Sequence, residues 1–172
     1  GGIGMVIGHE FTHAFDDQGA QYDKEGNVKN WWTEEDYTRF KEKTQQIIDQ
    51  YDTFTVLDSV HLKGALTVGE NTADNGGIAI AYDAFKMTEQ GQDTTKSGGF
   101  TPDQRFFLSV AKIWRVKMKD EFLRLWINNN PHSPPSWRVN GPLMNNPHFY
   151  KAFDVQPKDS LYLAEDERIL IW

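Results

Sequence analysis

His9-Glu10-Phe11-Thr12-His13 constrains this chain more than any other five residues. On a helix of about 3.6 residues per turn, His9 and His13 lie about 40° apart around the axis, so both imidazoles can reach one metal ion. Glu10 is turned about 100° from His9 and sits beside such a metal, where it can take a proton from water. Two neutral nitrogen ligands with an adjacent carboxylate are what a zinc hydrolase needs. The alternative is a surface helix whose His and Glu face solvent. The preceding residues, Gly2 to Gly8, are small and apolar, which predicts a helix buried where the motif begins. Burying two histidines and a glutamate without partners is costly, and a metal removes that difficulty.

A chain of 172 residues can form one domain with a real core. Its net charge of −7 argues against nucleic acid or an anionic membrane as the main partner. With no cysteine, disulfides and thiolate metal sites are excluded, and the compartment stays open. No apolar run approaches the roughly 20 residues of a membrane span, and no signal peptide is visible. The chain does not begin with Met and opens directly into the motif helix. A catalytic helix normally rests on a sheet, so the chain is expected to be part of a longer protein.

The spacing predicts a first helix over about Ile3 to Asp17, ended by Gly19 and the polar residues after it. Tyr22 to Val28 has turn chemistry, a small hairpin or loop. Of the adjacent Trp31 and Trp32, at least one should be core. Thr33, followed by Glu34, Glu35 and Asp36, caps a helix running to about Tyr51. Residues 52–65 read as irregular, with His61 a surface or packing residue. Residues 88–101 read as a polar linker. Thr101-Pro102-Asp103 opens a further helix with the apolar stripe Phe106, Phe107, Val110, Ile113 and Trp114, and a last helical turn or two ends near Ile127.

The second informative stretch runs from Val68 to Gly77 and continues as an apolar helix. Glu70 and Asp74, four apart, share one face of it. They are either acids capping a helix N-terminus, or a third zinc ligand and a carboxylate that holds a ligand histidine. A metzincin continuation places Gly at position 16 and His at position 19; this chain has Asp16 and Gly19. The third ligand must therefore come from elsewhere, and a Glu on a later helix is the thermolysin-type solution. Asn128 to Pro135 cannot be regular structure. His132 in this rigid loop, with Arg138 six residues on, is either incidental surface charge or a pre-positioned donor pair for an oxyanion and a substrate carbonyl. From Asp154 the tail reads as a short helix and then extended segments, ending in an apolar Ile169 to Trp172 docked in the core.

Taken together, these stretches resemble the C-terminal part of the neprilysin family of zinc endopeptidases, most closely its bacterial endopeptidase O members. The matching residues are His9 to Asp17, Trp31-Trp32-Thr33, Gly69 to Gly77, His132-Ser133-Pro134, Arg138 and Trp172, in family order along the whole chain. The resemblance implies the C-terminal part of an α/β zincin (thermolysin-like) fold, mostly helical here with little β, over residues 1–172. It implies one Zn2+ per chain held by His9, His13 and Glu70, with Glu10 as general base and then proton donor. Asp16 and Asp74 match aspartates that orient the ligand histidines; which Asp serves which His stays open. His132 matches the residue that stabilises the oxyanion, and Arg138 the one that hydrogen-bonds a substrate carbonyl. Met5, Val6, Ile113 and Trp114 fall where the family lines the pocket for an apolar side chain just after the cut bond. Short peptides are the implied substrates, and the N-terminal portion of the same protein the implied partner. The family favours the cell envelope or periplasm over the cytoplasm.

Two departures matter. Asn130 stands where the family usually has Asp, two residues before His132. An amide oxygen still accepts a hydrogen bond but supplies no charge to favour imidazolium, so His132 is expected to lose its proton at lower pH than in relatives. The family's upstream strand, which binds substrate backbone, and its helical lid domain are absent from these residues.

Overall fold

The computed structural model describes residues 1–171. Trp172, expected to dock in the core, lies outside them. Helix α1 (Gly2–Thr12) carries the motif and tightens into a 3-10 turn at His13–Phe15. Helix α2 (Glu34–Asp52) starts where predicted, with the Thr33 hydroxyl accepting from Asp36 N at 3.1 Å. Strands β1 (Thr55–Leu57) and β2 (Val60–His61) form an antiparallel hairpin, turned at Asp58, in the segment expected to be irregular. Helix α3 (Gly64–Lys86) follows and is longer than its apolar half suggested. Helix α4 (Glu89–Gln92) is one turn inside the expected linker.

Helix α5 (Pro102–Ile113) opens on a full capping box between Thr101 and Gln104. Helix α6 (Asp120–Asn129) is a separate element, not a last turn. Helices α7 (Pro135–Asn145) and α8 (Pro147–Phe153) each begin with a proline in the first turn. The short helix expected in the tail is a 3-10 turn at Glu165–Glu167. Ile169 is buried, whereas Leu170 is half exposed.

Helix α3 is the spine. Its second half, through Ile78 and Tyr82, packs with Met5, Phe106, Phe107, Val110, Leu143 and Phe149 of α1, α5, α7 and α8. Its first half, through Val68, packs with Ile47, Tyr51, Phe54, Ile127 and Ile169 of α2, the hairpin, α6 and the tail. Trp32 docks between elements, its indole donating to Ala20 O at 2.9 Å and stacking on Phe40, while Trp31 is half exposed.

Helix α1 meets α3 backbone to backbone. A Cβ on Gly8 would lie 2.6 Å from Gly77 O, and one on Gly77 would lie 2.5 Å from His9 N. Glycine at both positions is what lets the axes approach so closely. The helix is buried on this face only: Ile3, Ile7, Phe11 and Phe15, four apart, form an exposed apolar stripe. The helix is buried where the motif begins, at Gly8 and His9, as its small apolar residues predict, and this burial is confined to one side.

Candidate metal centre

The Gly8–Gly77 contact sets His9 against the first half of α3, where Glu70 and Asp74 point at α1. His9 Nδ1 lies 2.8 Å from Asp74 Oδ1, and His13 Nδ1 lies 2.6 Å from Asp16 Oδ2. The pairing left open by the sequence is thus Asp74 with His9 and Asp16 with His13. Asp16 also accepts from Gln18 N and Gly19 N at 2.9 and 2.7 Å, so the loop that ends the helix holds its carboxylate in place. Gly69 makes room for this loop, since a Cβ there would lie 2.7 Å from Asp17 Oδ1 and 3.4 Å from Asp16 Oδ2.

These pairings put the proton of each neutral imidazole on Nδ1 and leave the Nε2 lone pairs facing inward. The two Nε2 atoms are 2.9 Å apart. Glu70 Oε2 is buried, 3.3 Å from His9 Nε2, and has no hydrogen-bond partner of acceptable geometry. Two lone pairs and an unsatisfied carboxylate oxygen that converge in this way need a cation between them. His9, His13 and Glu70 each present a ligand atom within 4.8 Å of the others. Two imidazoles and one carboxylate form the donor set of catalytic zinc, with room for a fourth position.

The electrostatics agree. Burial lowers the His9 pKa, but the carboxylates of Asp74 and Glu70 beside the ring outweigh it and raise the value to about 9. Burial likewise pushes Glu70 up, and the histidines around it more than compensate, holding it below the usual carboxylate range. The pocket is built to hold a positive charge beside carboxylates.

His132 and Arg138 both reach this cluster, so they are not incidental surface charges. His132 Nε2 is 3.1 Å from Glu70 Oε2. Its Nδ1 pairs with Asn130 Oδ1 at 2.9 Å, and burial pushes its pKa down. Trp126 on α6 donates to the His132 carbonyl at 2.8 Å, a support that no spacing in the sequence pointed to. Arg138 is buried; its Nε and Nη2 donate to Asp74 Oδ2 and Oδ1, both at 2.8 Å, and its guanidinium lies 4.1 Å above the Trp114 ring.

Glu10 lies on the exposed side of α1. Met5, Val6 and Trp114 join one apolar cluster beside the site. Met5 is wholly buried and so backs that wall, and Ile113 is half exposed next to Gly2.

A His-Glu-x-x-His helix, a glutamate from a later helix and a carboxylate beside each histidine are the parts a zinc metallopeptidase site is built from. The comparisons agree with that class. The model of Peptidase family M13 matches residues 1–169, and the chain belongs to this family. It is 45% identical over 156 residues to an endothelin-converting enzyme homolog of Locusta migratoria, covering 89% of this chain and 21% of that protein. It is 42% identical over its full length to a neutral endopeptidase of Lactococcus lactis, of which it covers 26%. Among solved structures, the zinc metalloprotease ZMP1 of Mycobacterium tuberculosis superimposes with a TM-score of 0.95 at 43% identity, over 99% of this chain and 27% of that one. The chain therefore spans about a quarter of the length of the relatives it matches.

Proposed function

We propose that this chain carries the zinc centre of an endopeptidase that cleaves short peptides on the N-terminal side of apolar residues. The observation that carries the reading is the convergence of His9, His13 and Glu70 with His132 beside Glu70 and Arg138 beside Asp74. One zinc per chain, held by His9, His13 and Glu70, supplies a Lewis acid that draws the pKa of water towards about 7 and polarises a carbonyl. Glu10 accepts the proton of the attacking water and returns it to the leaving amine. Protonated His132 donates from Nε2 to the oxyanion. Arg138 gives Nε and Nη2 to Asp74, with Nη2 also near His9 and Glu70, and its Nη1, which meets no acceptor among the described residues, is the donor for a substrate carbonyl. Asp74 and Asp16 hold the imidazoles in the ligating tautomer. Val6, Ile113 and Trp114, backed by Met5, form the apolar wall for the side chain after the cut bond.

The exposed stripe on α1 supports a partner role for the upstream portion of the same protein, since Ile3, Ile7 and Phe11 in a row on a helix mark a face that packs on something. The test is bound zinc per chain, measured beside cleavage of a quenched peptide with an apolar residue after the scissile bond. Zinc near one per chain with chelator-sensitive cleavage is expected; a protein that takes up no zinc overturns the reading. Zinc without cleavage favours a peptide-binding module over an enzyme.

A further inference from the structure

The loop that carries His132 is tied to the helix that carries Glu70 by a buried run of hydrogen bonds. Ser133 and Asn71 are both fully buried, and Thr67 is nearly so. The Ser133 hydroxyl donates to Asn71 Oδ1 at 2.7 Å. Asn71 Nδ2 donates to Thr67 Oγ1 at 2.8 Å, and the Thr67 hydroxyl donates to Lys63 O at 3.2 Å. Each group donates in the same direction, so the run is self-consistent and ends on a backbone carbonyl at the start of α3. Asn71 follows Glu70, and Ser133 follows His132. The bond therefore lies directly behind the 3.1 Å approach of His132 Nε2 to Glu70 Oε2.

The other holds on His132 are local. Trp126 Nε1 grips its carbonyl, and Asn130 Oδ1 accepts from its N–H at 2.8 Å. Both come from α6 and its loop, and they orient the imidazole relative to that loop. The Ser133–Asn71 bond refers the loop to α3, across 62 residues of sequence. A buried pair of this kind adds little net stability over an apolar pair of the same shape. What it does add is direction: one length and one angle at which the loop can sit.

We propose that Asn71 and Ser133 are positioning residues for the reaction inferred above, fixing His132 Nε2 at its working distance from the metal ligands. The inference rests on that peptidase reading. Without the bond the loop still packs, but His132 is free to drift, and displacements near 1 Å can cost up to about 100-fold in rate.

The test is Ser133→Ala in the full-length, zinc-loaded protein. We expect kcat to fall about 10-fold, with KM within about two-fold and zinc content unchanged. Affinity for a peptide phosphonate, whose tetrahedral oxygen stands where the oxyanion forms, should fall by a similar factor. Affinity for a peptide thiol, which presents no such oxygen, should hold. In a His132→Ala background, adding Ser133→Ala should cost nothing more. An additive loss there, or equal losses for both inhibitors, means general loosening and overturns the proposal. Should Ser133→Ala fail to fold, Thr67→Val decides the matter. It keeps shape, unpairs Asn71 Nδ2 and should lower kcat in the same way but less; an unchanged kcat overturns the proposal. Unmodified protein that binds zinc but cleaves nothing overturns the peptidase reading and this inference with it. Cleavage that neither variant slows overturns this inference alone.

Discussion

Asp74, wholly buried, is held by Arg138 through two parallel bonds of 2.8 Å, and one of the same carboxylate oxygens lies 2.8 Å from His9 Nδ1. One side chain thus orients a proposed zinc ligand and neutralises a buried guanidinium. Asp74→Asn keeps an acceptor but removes the charge, leaving Arg138 with only Glu70 at 3.7 Å. We expect zinc affinity to drop about 10- to 100-fold and the protein to lose about 3–5 kcal/mol of stability. Chelator competition and urea denaturation of the zinc-loaded protein measure the two; wild-type values in both would refute the dual role.

Glu10 is assigned to proton transfer and not to ligation. Glu10→Gln should therefore retain zinc at the wild-type level while turnover falls about 10²- to 10⁴-fold. Metal analysis beside peptide cleavage checks this, and a variant that cleaves well removes Glu10 from the reaction.

Asn130 shapes the pH profile. Its Oδ1 accepts from both N and Nδ1 of His132, so neutral His132 carries its proton on Nδ1 and has none on Nε2. Donation to an oxyanion needs the protonated ring. Burial, with Arg138 adding to it against the pull of Glu70, keeps the His132 pKa low. Activity should therefore decline as pH rises through that value. Asn130→Asp adds a negative charge beside the ring, raises its pKa, and should move the alkaline limb of kcat upward by about 1 pH unit or more. Superimposable profiles for the two proteins would sink the idea.

Gly77 carries a fourth prediction. A methyl there meets His9 N at 2.5 Å and His9 Cα at 2.8 Å, both backbone atoms with no easy way to yield. Gly77→Ala should push α1 off α3 and weaken zinc binding at least about 10-fold, with a fall in melting temperature. Gly26→Ala is the control. Its φ of +81° makes it locally strained, but nothing lies within 4 Å, so zinc binding should survive.

Much of the centre could be read from residue order. The choice of Glu70 over a capping role needs the family resemblance, whereas the motif helix, the Thr33 cap and the helix start at Thr101-Pro102 rest on local chemistry that a sequence displays. What it does not display is tertiary. Asp74 and Arg138 are 64 residues apart, and nothing in their spacing pairs them. Gly8 and Gly77 read as small residues, yet their use is a close approach that exists only after folding. Helices α7 and α8 passed unnoticed because their prolines resemble loop chemistry; Pro135 and Pro147 instead fill first-turn positions where the lost N–H costs nothing. On α1 the apolar residues predict burial where the motif begins, and Gly8 and His9 are buried there, but apolar character alone does not tell that side from the exposed one carrying Ile3, Ile7 and Phe11.

Glu70, Asn71 and Asp74 all ride on the first half of a helix whose two ends are anchored in different hydrophobic clusters. That half cannot fray on its own, because its opening would have to breach one cluster and strip the other of its neighbour. The amides of residues 70–74 should therefore exchange with solvent only when the domain unfolds as a whole. The centre then has no partly dismantled form to populate: ligand, loop anchor and guanidinium anchor are lost together or kept together.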